Sequence, residues 1–86
     1  MLVLSDYATS EKTVNFTFDS GLFLVMSQVN GNDMCRVDLV YNGDGSSIAG
    51  RSTICALSNY ITYTYGTNSV TISTNYTCLV RILRMP

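Results

Sequence analysis

Histidine and tryptophan are absent from this 86-residue sequence, and its one proline is the final residue. Because histidine is the commonest general base, its absence excludes most nucleophilic triads. The six acidic residues are spread over predicted loops and strand edges, apart from Asp38 in the middle of a strand. No two of them are placed as the paired carboxylates of a glycosidase. We therefore expect no catalytic residues and no enzymatic activity.

Charged residues are also scarce, at 13% of the sequence, compared with about 25% in an average soluble domain. A small domain has more surface per residue than a large one and would be expected to carry more charge. The five basic residues are scattered and the net charge is −1, which argues against a nucleic-acid partner. We expect part of this surface to be buried against other copies of the chain or against other domains.

Long apolar runs are missing. Runs such as Leu22–Met26 and Cys78–Val80 are too short to cross a bilayer, so no membrane partner is expected. Residues 1–4 have neither the basic region nor the long apolar region of a signal peptide. We expect either a protein that stays in the cytoplasm where it is made or a sequence shown without its export signal.

The three cysteines are Cys35, Cys55 and Cys78, so at least one thiol cannot pair within the chain. Each is expected to lie on the same strand face as apolar residues, which favours reduced, buried thiols over a disulfide. They are far apart in sequence and no histidine accompanies them, so neither a transition-metal site nor a cofactor is expected. The segment Asn42–Ser46 lacks the further acidic residues of a calcium loop and is interpreted as a turn.

The sequence does contain a series of short strand signals. Runs rich in Thr, Val, Ile, Tyr and Phe are separated by Gly/Asn/Asp/Ser clusters at intervals of roughly 8–12 residues, which is typical of a sandwich or barrel. No window has the apolar periodicity of a long helix. We predict an all-β fold, an antiparallel β-sandwich or jelly roll of about seven or eight short strands. The predicted strands cover residues 2–4, 12–18, 22–28, 34–41, 51–57, 60–65, 69–74 and 76–84.

These strands define one domain over residues 12–86, preceded by a short N-terminal segment over 1–11 whose residues 5–11 are predicted to be a loop. Alternation places Val14, Phe16 and Phe18 on one face of their strand. The strand beginning at Leu22 is apolar on both faces and is predicted to be central and covered on both sides. The last strand has the same character, interrupted by Arg81.

Tyrosines suggest where a ligand could bind. Tyr63 and Tyr65 share one face of their strand with Ile61 and are interpreted as core or subunit interface. Tyr60 is left on the opposite face, toward solvent. An exposed aromatic ring beside hydroxyl and amide groups is a common platform for a sugar. We predict a shallow, mostly polar binding surface formed by Asn59, Tyr60, Thr64 and the loop residues Asn42, Asp44 and Ser46. The alternative is that Tyr60 packs in a subunit interface and the loop only connects strands.

The succession of strands also resembles a known class of domain. The matching segments are Val14–Phe18, Gly21–Val25, Arg36–Tyr41, a Gly-rich loop, Val70–Ser73 and a final strand Tyr76–Leu83. From residue 12 to the C-terminus, this pattern resembles the small β-sandwich tip domains that end tail or head fibres of phages infecting gut Gram-positive bacteria. The resemblance implies a homotrimeric virion protein, assembled in the host cytoplasm, that recognises a bacterial surface polysaccharide.

Two other classes of function remain open at this point. One is a structural capsid or tail decoration protein without a ligand, which would share the fold and the oligomer and differ only in glycan binding. The other is a secreted, extracellular bacterial lectin or adhesin module, which would need export and would be favoured by disulfide-bonded cysteines.

Overall fold

The computed structural model describes residues 1–29, 31, 34–57 and 60–86. Within these ranges it contains eight strands and no helix, and hence no helix that could cross a membrane. The strands are β1 Leu2–Ala8, β2 Val14–Thr17, β3 Gly21–Val29, β4 Cys35–Asn42, β5 Gly50–Ala56, β6 Ile61–Tyr65, β7 Ser69–Thr74 and β8 Cys78–Arg84. The prediction of an all-β fold is confirmed.

The strands form two antiparallel sheets. The larger has the order β1-β8-β3-β4-β5 and the smaller the order β2-β7-β6, an arrangement compatible with a β-sandwich. Alternate side chains of both sheets point into the core between them. Those that are fully buried include Phe23, Val25, Val40, Val70, Ile72, Val80 and Ile82. Phe18 closes the core between the sheets, with its ring 5.1 Å from that of Phe23 in an edge-to-face contact.

The first strand is longer than predicted. β1 continues to Ala8 and pairs with β8 from Leu2 opposite Leu83 to Ala8 opposite Cys78. The loop predicted over residues 5–11 therefore begins only after Ala8. The apolar last strand supplies the hydrogen-bond ladder that this polar stretch would lack by itself, since strand formation depends strongly on the neighbouring strand. The N-terminal segment is thus an edge strand of the larger sheet.

Strand β3 is central in the larger sheet, as predicted. Its Phe23 and Val25 are buried in the core, whereas Leu22, Leu24 and Met26 lie half-buried on the opposite, outward side. In the part of the chain that the structure describes, no other strand packs on this outward side of β3.

Strand β4 directs an unexpected set of residues into the core. Asp38 and Asn42 are buried, while Cys35 is half-buried on the outward side. Cys55 lies on the same outward side of β5, opposite Val37. The prediction that all three thiols are buried therefore holds for Cys78 and is wrong for Cys35 and Cys55.

Candidate functional site

The residues predicted to bind a ligand lie in two separate regions. Tyr60 immediately precedes β6, at the end of the smaller sheet where Ile61 pairs with Thr74. The loop that contains Asn42, Asp44 and Ser46 contacts the other end of that sheet, where Asn68 joins β6 to β7. The structure therefore does not combine the two regions into one surface. Thr64 lies between them, exposed on the outward face of β6, and Asn59 lies outside the described residues.

The loop between β4 and β5 is organised by two asparagines. Asn42 is fully buried; its amide donates to Oδ1 of Asn68, and its own Oδ1 accepts the backbone N–H of Gly45 at 2.8 Å. Asn68 in turn donates to the carbonyl oxygen of Phe18 at 2.8 Å and to that of Gly45 at 3.1 Å. Asn42 is thus committed to shaping the loop and is not available on a surface.

The two other predicted loop residues are exposed. Asp44 accepts the backbone N–H of Ser46 at 2.9 Å, and this hydrogen bond is the main reason that the pKa of the Asp44 carboxyl lies below its ordinary value. Gly45 adopts a positive φ of 83° between them, a conformation that favours glycine. The segment is a turn, as interpreted from the sequence.

An aromatic pair marks the opposite end of the smaller sheet. Tyr60 packs edge to face against Tyr76, with ring centroids 4.9 Å apart. The two residues remain 38% and 51% exposed. Tyr76 lies in the turn between β7 and β8, where its backbone N–H donates to Oγ1 of Thr74 at 3.1 Å. Sequence reasoning placed Tyr76 at the start of a strand and missed this contact, which depends on how β6 pairs with β7.

A further feature of the described residues is the outward side of the five-stranded sheet, hereafter the outer sheet face. Its centre is a row in which Leu24 of β3 lies between Leu83 of β8 and Leu39 of β4. Further apolar side chains continue the face on both sides of this row: Leu22, Met26, Val37, Tyr41 and Leu79. Among the described residues on this face, Arg81 alone is charged. A solvated face would ordinarily carry polar residues, so this one is unusually apolar.

A depression of about 420 Å³ opens on the outer sheet face. Its lining residues come from β3, β4, β8 and the position that follows β5: Met26, Ser27, Gln28, Cys35, Val37, Leu57, Leu79 and Arg81. It combines an apolar floor with one thiol and one guanidinium group.

Between the sheets, a polar network surrounds Asp38. Its carboxylate accepts from Nε and Nη2 of Arg36 at 3.2 and 3.1 Å and from the hydroxyl of Tyr65 at 2.6 Å. The guanidinium of Arg36 lies over the ring of Tyr63, 4.3 Å from its centroid. The Tyr63 hydroxyl lies 2.6 Å from Oγ of Ser27 and donates to the carbonyl oxygen of Arg36 at 3.0 Å.

Burial is the main cause that raises the pKa of both Tyr63 and Tyr65 above 10. Every group in this network has a partner, and the two tyrosines come from β6 while Asp38 comes from β4. The network therefore joins the two sheets, and its groups are not presented to a ligand.

Two thiols lie next to each other on the outward side of the larger sheet. The Sγ atoms of Cys35 and Cys55 are 3.6 Å apart, and no disulfide joins them. Cys78 is fully buried on the core side, and burial raises the pKa of its thiol.

The described residues contain no group of three or more His, Cys, Asp or Glu side chains that could hold a metal ion. Comparisons of the chain with protein-family models, with characterised proteins and with solved structures found no match.

Proposed function

We propose that this protein is a non-catalytic assembly and recognition module that works as a homo-oligomer joined through the outer sheet face. The observation that carries the proposal is the apolar row Leu83–Leu24–Leu39 at the centre of a sheet face on which no other described strand packs. The outward face of the smaller sheet has the opposite character. It presents hydroxyl and amide side chains throughout: Asn15, Thr17, Thr62, Thr64, Ser69, Thr71 and Ser73.

The size of the outer sheet face supports this role. Five strands spaced by about 4.8 Å and about seven residues long, at about 3.3 Å per residue, cover on the order of 500 Å². This is about a tenth of the chain's accessible surface of 4914 Å², a share typical of a protein interface. Two such faces together bury on the order of 1,000 Å², which is the lower bound for a specific contact.

A second copy of the same chain is the occupant that fits this face. Its own outer sheet face is equally apolar and nearly uncharged, so two copies are self-complementary. The one charged residue, Arg81, has a long aliphatic stem that can stay on the apolar surface while its guanidinium reaches water at the rim. The same face directed toward a three-fold axis would produce the homotrimer that the resemblance implies.

The recognition role that we propose is binding of a bacterial surface polysaccharide, as part of a virion fibre tip. Its support is the exposed pair of Tyr60 and Tyr76, which offers an aromatic ring for the C–H face of a sugar. The pair lies at one end of the smaller sheet and not on the outer sheet face, so an oligomer formed through that face leaves it accessible. Several copies in one oligomer would raise the avidity for a repeating polysaccharide.

The assembly role is tested with a pair of lysine substitutions. Leu24→Lys places a charge at the centre of the outer sheet face, whereas Thr64→Lys places the same side chain on the polar face of the smaller sheet. In sedimentation velocity, Leu24→Lys should shift the protein to the monomer and Thr64→Lys should leave the oligomer intact, with both chains folded by circular dichroism. Equal behaviour of the two folded variants would contradict the proposal.

The recognition role is tested by binding to purified host cell-wall polysaccharides. Tyr60→Ala and Tyr76→Ala should each weaken binding about tenfold, equivalent to about 1.4 kcal/mol, without changing the oligomer. Tyr60→Phe is the matched control, since it keeps the ring and should retain most of the affinity. An unsubstituted protein that binds no polysaccharide, yet remains oligomeric, would favour the alternative of a structural decoration protein.

A further inference from the structure

We propose that Cys35 and Cys55 form a thiol–disulfide exchange site that reacts with low-molecular-weight disulfides of the glutathione type. The two thiols belong to neighbouring strands at the edge of the larger sheet, on its outward side. Both are half-buried, so a small reagent can reach them.

The geometry of the pair favours a bond between them. Their Sγ atoms are 3.6 Å apart, while the sulfurs of a disulfide are separated by about 2.05 Å. Cys55 lies opposite Val37 and so is diagonal to Cys35; closing the remaining gap of about 1.5 Å takes side-chain rotation together with a small shift of β5. β5 is also the strand best able to adjust, because it is an edge strand whose residues are mostly exposed.

The reaction proceeds in two exchanges and needs no oxidant other than the small disulfide. The thiolate of one cysteine attacks a sulfur of the small disulfide, forms a mixed disulfide and releases one small thiolate. The thiolate of the other cysteine then attacks the protein sulfur of that mixed disulfide and releases the second small thiolate. The two protons lost by the cysteines are taken up by the two released thiolates. In total, one small disulfide is reduced to two thiols as the Cys35–Cys55 disulfide forms.

The surroundings of Cys35 support the first exchange. Cys35 and Arg81 both line the depression on the outer sheet face, so an anionic small disulfide that enters the depression meets a guanidinium group as well as the thiol. Cys78 has none of these properties. It is fully buried opposite Ala8, and its raised thiol pKa disfavours the reactive thiolate.

The experiment treats the full chain with oxidised glutathione at low micromolar concentration. The intact mass should fall by two hydrogen atoms, and the number of thiols titratable after unfolding should fall from three to one. Trypsin should then release the peptides 13–36 and 52–81 joined by a reducible bond. Further cleavage with chymotrypsin separates Cys55 from Cys78 and should assign the bond to Cys55.

Two variants serve as controls. Cys55→Ser removes the resolving thiol, so the glutathione adduct on Cys35 should persist instead of closing. Cys78→Ser should still lose two hydrogen atoms, since Cys78 takes no part.

Several results would overturn the site. The unsubstituted protein could fail to react or could keep a stable glutathione adduct. The disulfide that forms could include Cys78, or it could join two chains in a reducible dimer on a denaturing gel. The inference does not rest on the oligomer. A chain that is monomeric at every concentration but forms the internal disulfide would refute the proposed assembly and leave the exchange site standing. If both proposals hold, exchange should slow as protein concentration rises, because the oligomer covers the outer sheet face.

Discussion

Replacing Asp38 by asparagine tests whether the buried polar network joins the two sheets. The substitution keeps the shape of the side chain and removes its charge. Asp38 is 1% exposed and accepts three hydrogen bonds, two from Arg36 and one from Tyr65. Asparagine has a single acceptor oxygen in place of two, and its amide group would face donors, so at least one partner is left unsatisfied.

The expected cost follows from what remains around Arg36. Removing one partner of a buried ion pair costs about 3–5 kcal/mol, because the other charge is left uncompensated. The Arg36 side chain retains 20% exposure and its contact with Tyr63, which places the cost at the lower end, about 3 kcal/mol. For a domain of this size, a loss of 1 kcal/mol lowers the melting temperature by about 4–8 °C, so a decrease of about 12–24 °C is expected.

The assay is urea and thermal unfolding of both proteins at the same concentration, since oligomer formation makes the melting temperature depend on concentration. Asp19→Asn is the matched control. It makes the same chemical change at an exposed carboxylate and should change the stability by less than about 0.5 kcal/mol. A cost below about 1 kcal/mol for Asp38→Asn would refute the role assigned to the network.

Three further perturbations have distinct outcomes. Burial raises the pKa of Tyr63 and Tyr65 above 10, so the unfolded chain loses these protons first. The contribution of the two tyrosines to the free energy of unfolding should be fully retained below about pH 10, and above it the free energy should fall by up to about 1.4 kcal/mol per pH unit for each tyrosine. Urea unfolding at a series of pH values should show a smaller fall for Tyr63→Phe, and an equal fall would contradict this. Asn68→Ala removes three side-chain hydrogen bonds and should lower the stability by about 2–3 kcal/mol, whereas an unchanged urea midpoint would refute its role in the loop. Gly21→Ala should lower the free energy of unfolding by more than about 1 kcal/mol, because φ is +140° and the added Cβ would lie 2.8 Å from the Arg84 side chain. Gly50→Ala is the control, since its added Cβ meets nothing within 4 Å. An equal loss of stability in both variants would contradict this prediction.

Much of the fold could be predicted because strand alternation is a local property. Apolar residues two positions apart, such as Val70 and Ile72 or Val80 and Ile82, are expected on one strand face without any knowledge of the rest of the chain. Both pairs are buried. The choice of face in β4 could not be made in this way. Buried Asp38 accepts a hydrogen bond from Tyr65, 27 positions later, and a partner at that separation is not visible in a local pattern.

The candidate site was harder to predict for a similar reason. Tyr60 was selected correctly as a partly exposed aromatic residue, but its neighbour Tyr76 is brought to it by the pairing of β6 with β7. The same pairing places the β6–β7 turn at the opposite end of the sheet, and Asn68 in this turn accepts a hydrogen bond from Asn42. Residue type indicated the chemistry of each position, whereas the distances between positions depended on strand order.

The proposed assembly can be tested on the unmodified chain by its molar mass in solution. Sedimentation equilibrium over a hundredfold range of concentration, centred on the micromolar range, measures this mass without labels or substitutions. We expect a mass that rises to two or three times the 9.5 kDa of one chain. A folded protein that stays at 9.5 kDa over the whole range would contradict it, because the apolar outer sheet face would then be shown to remain in water.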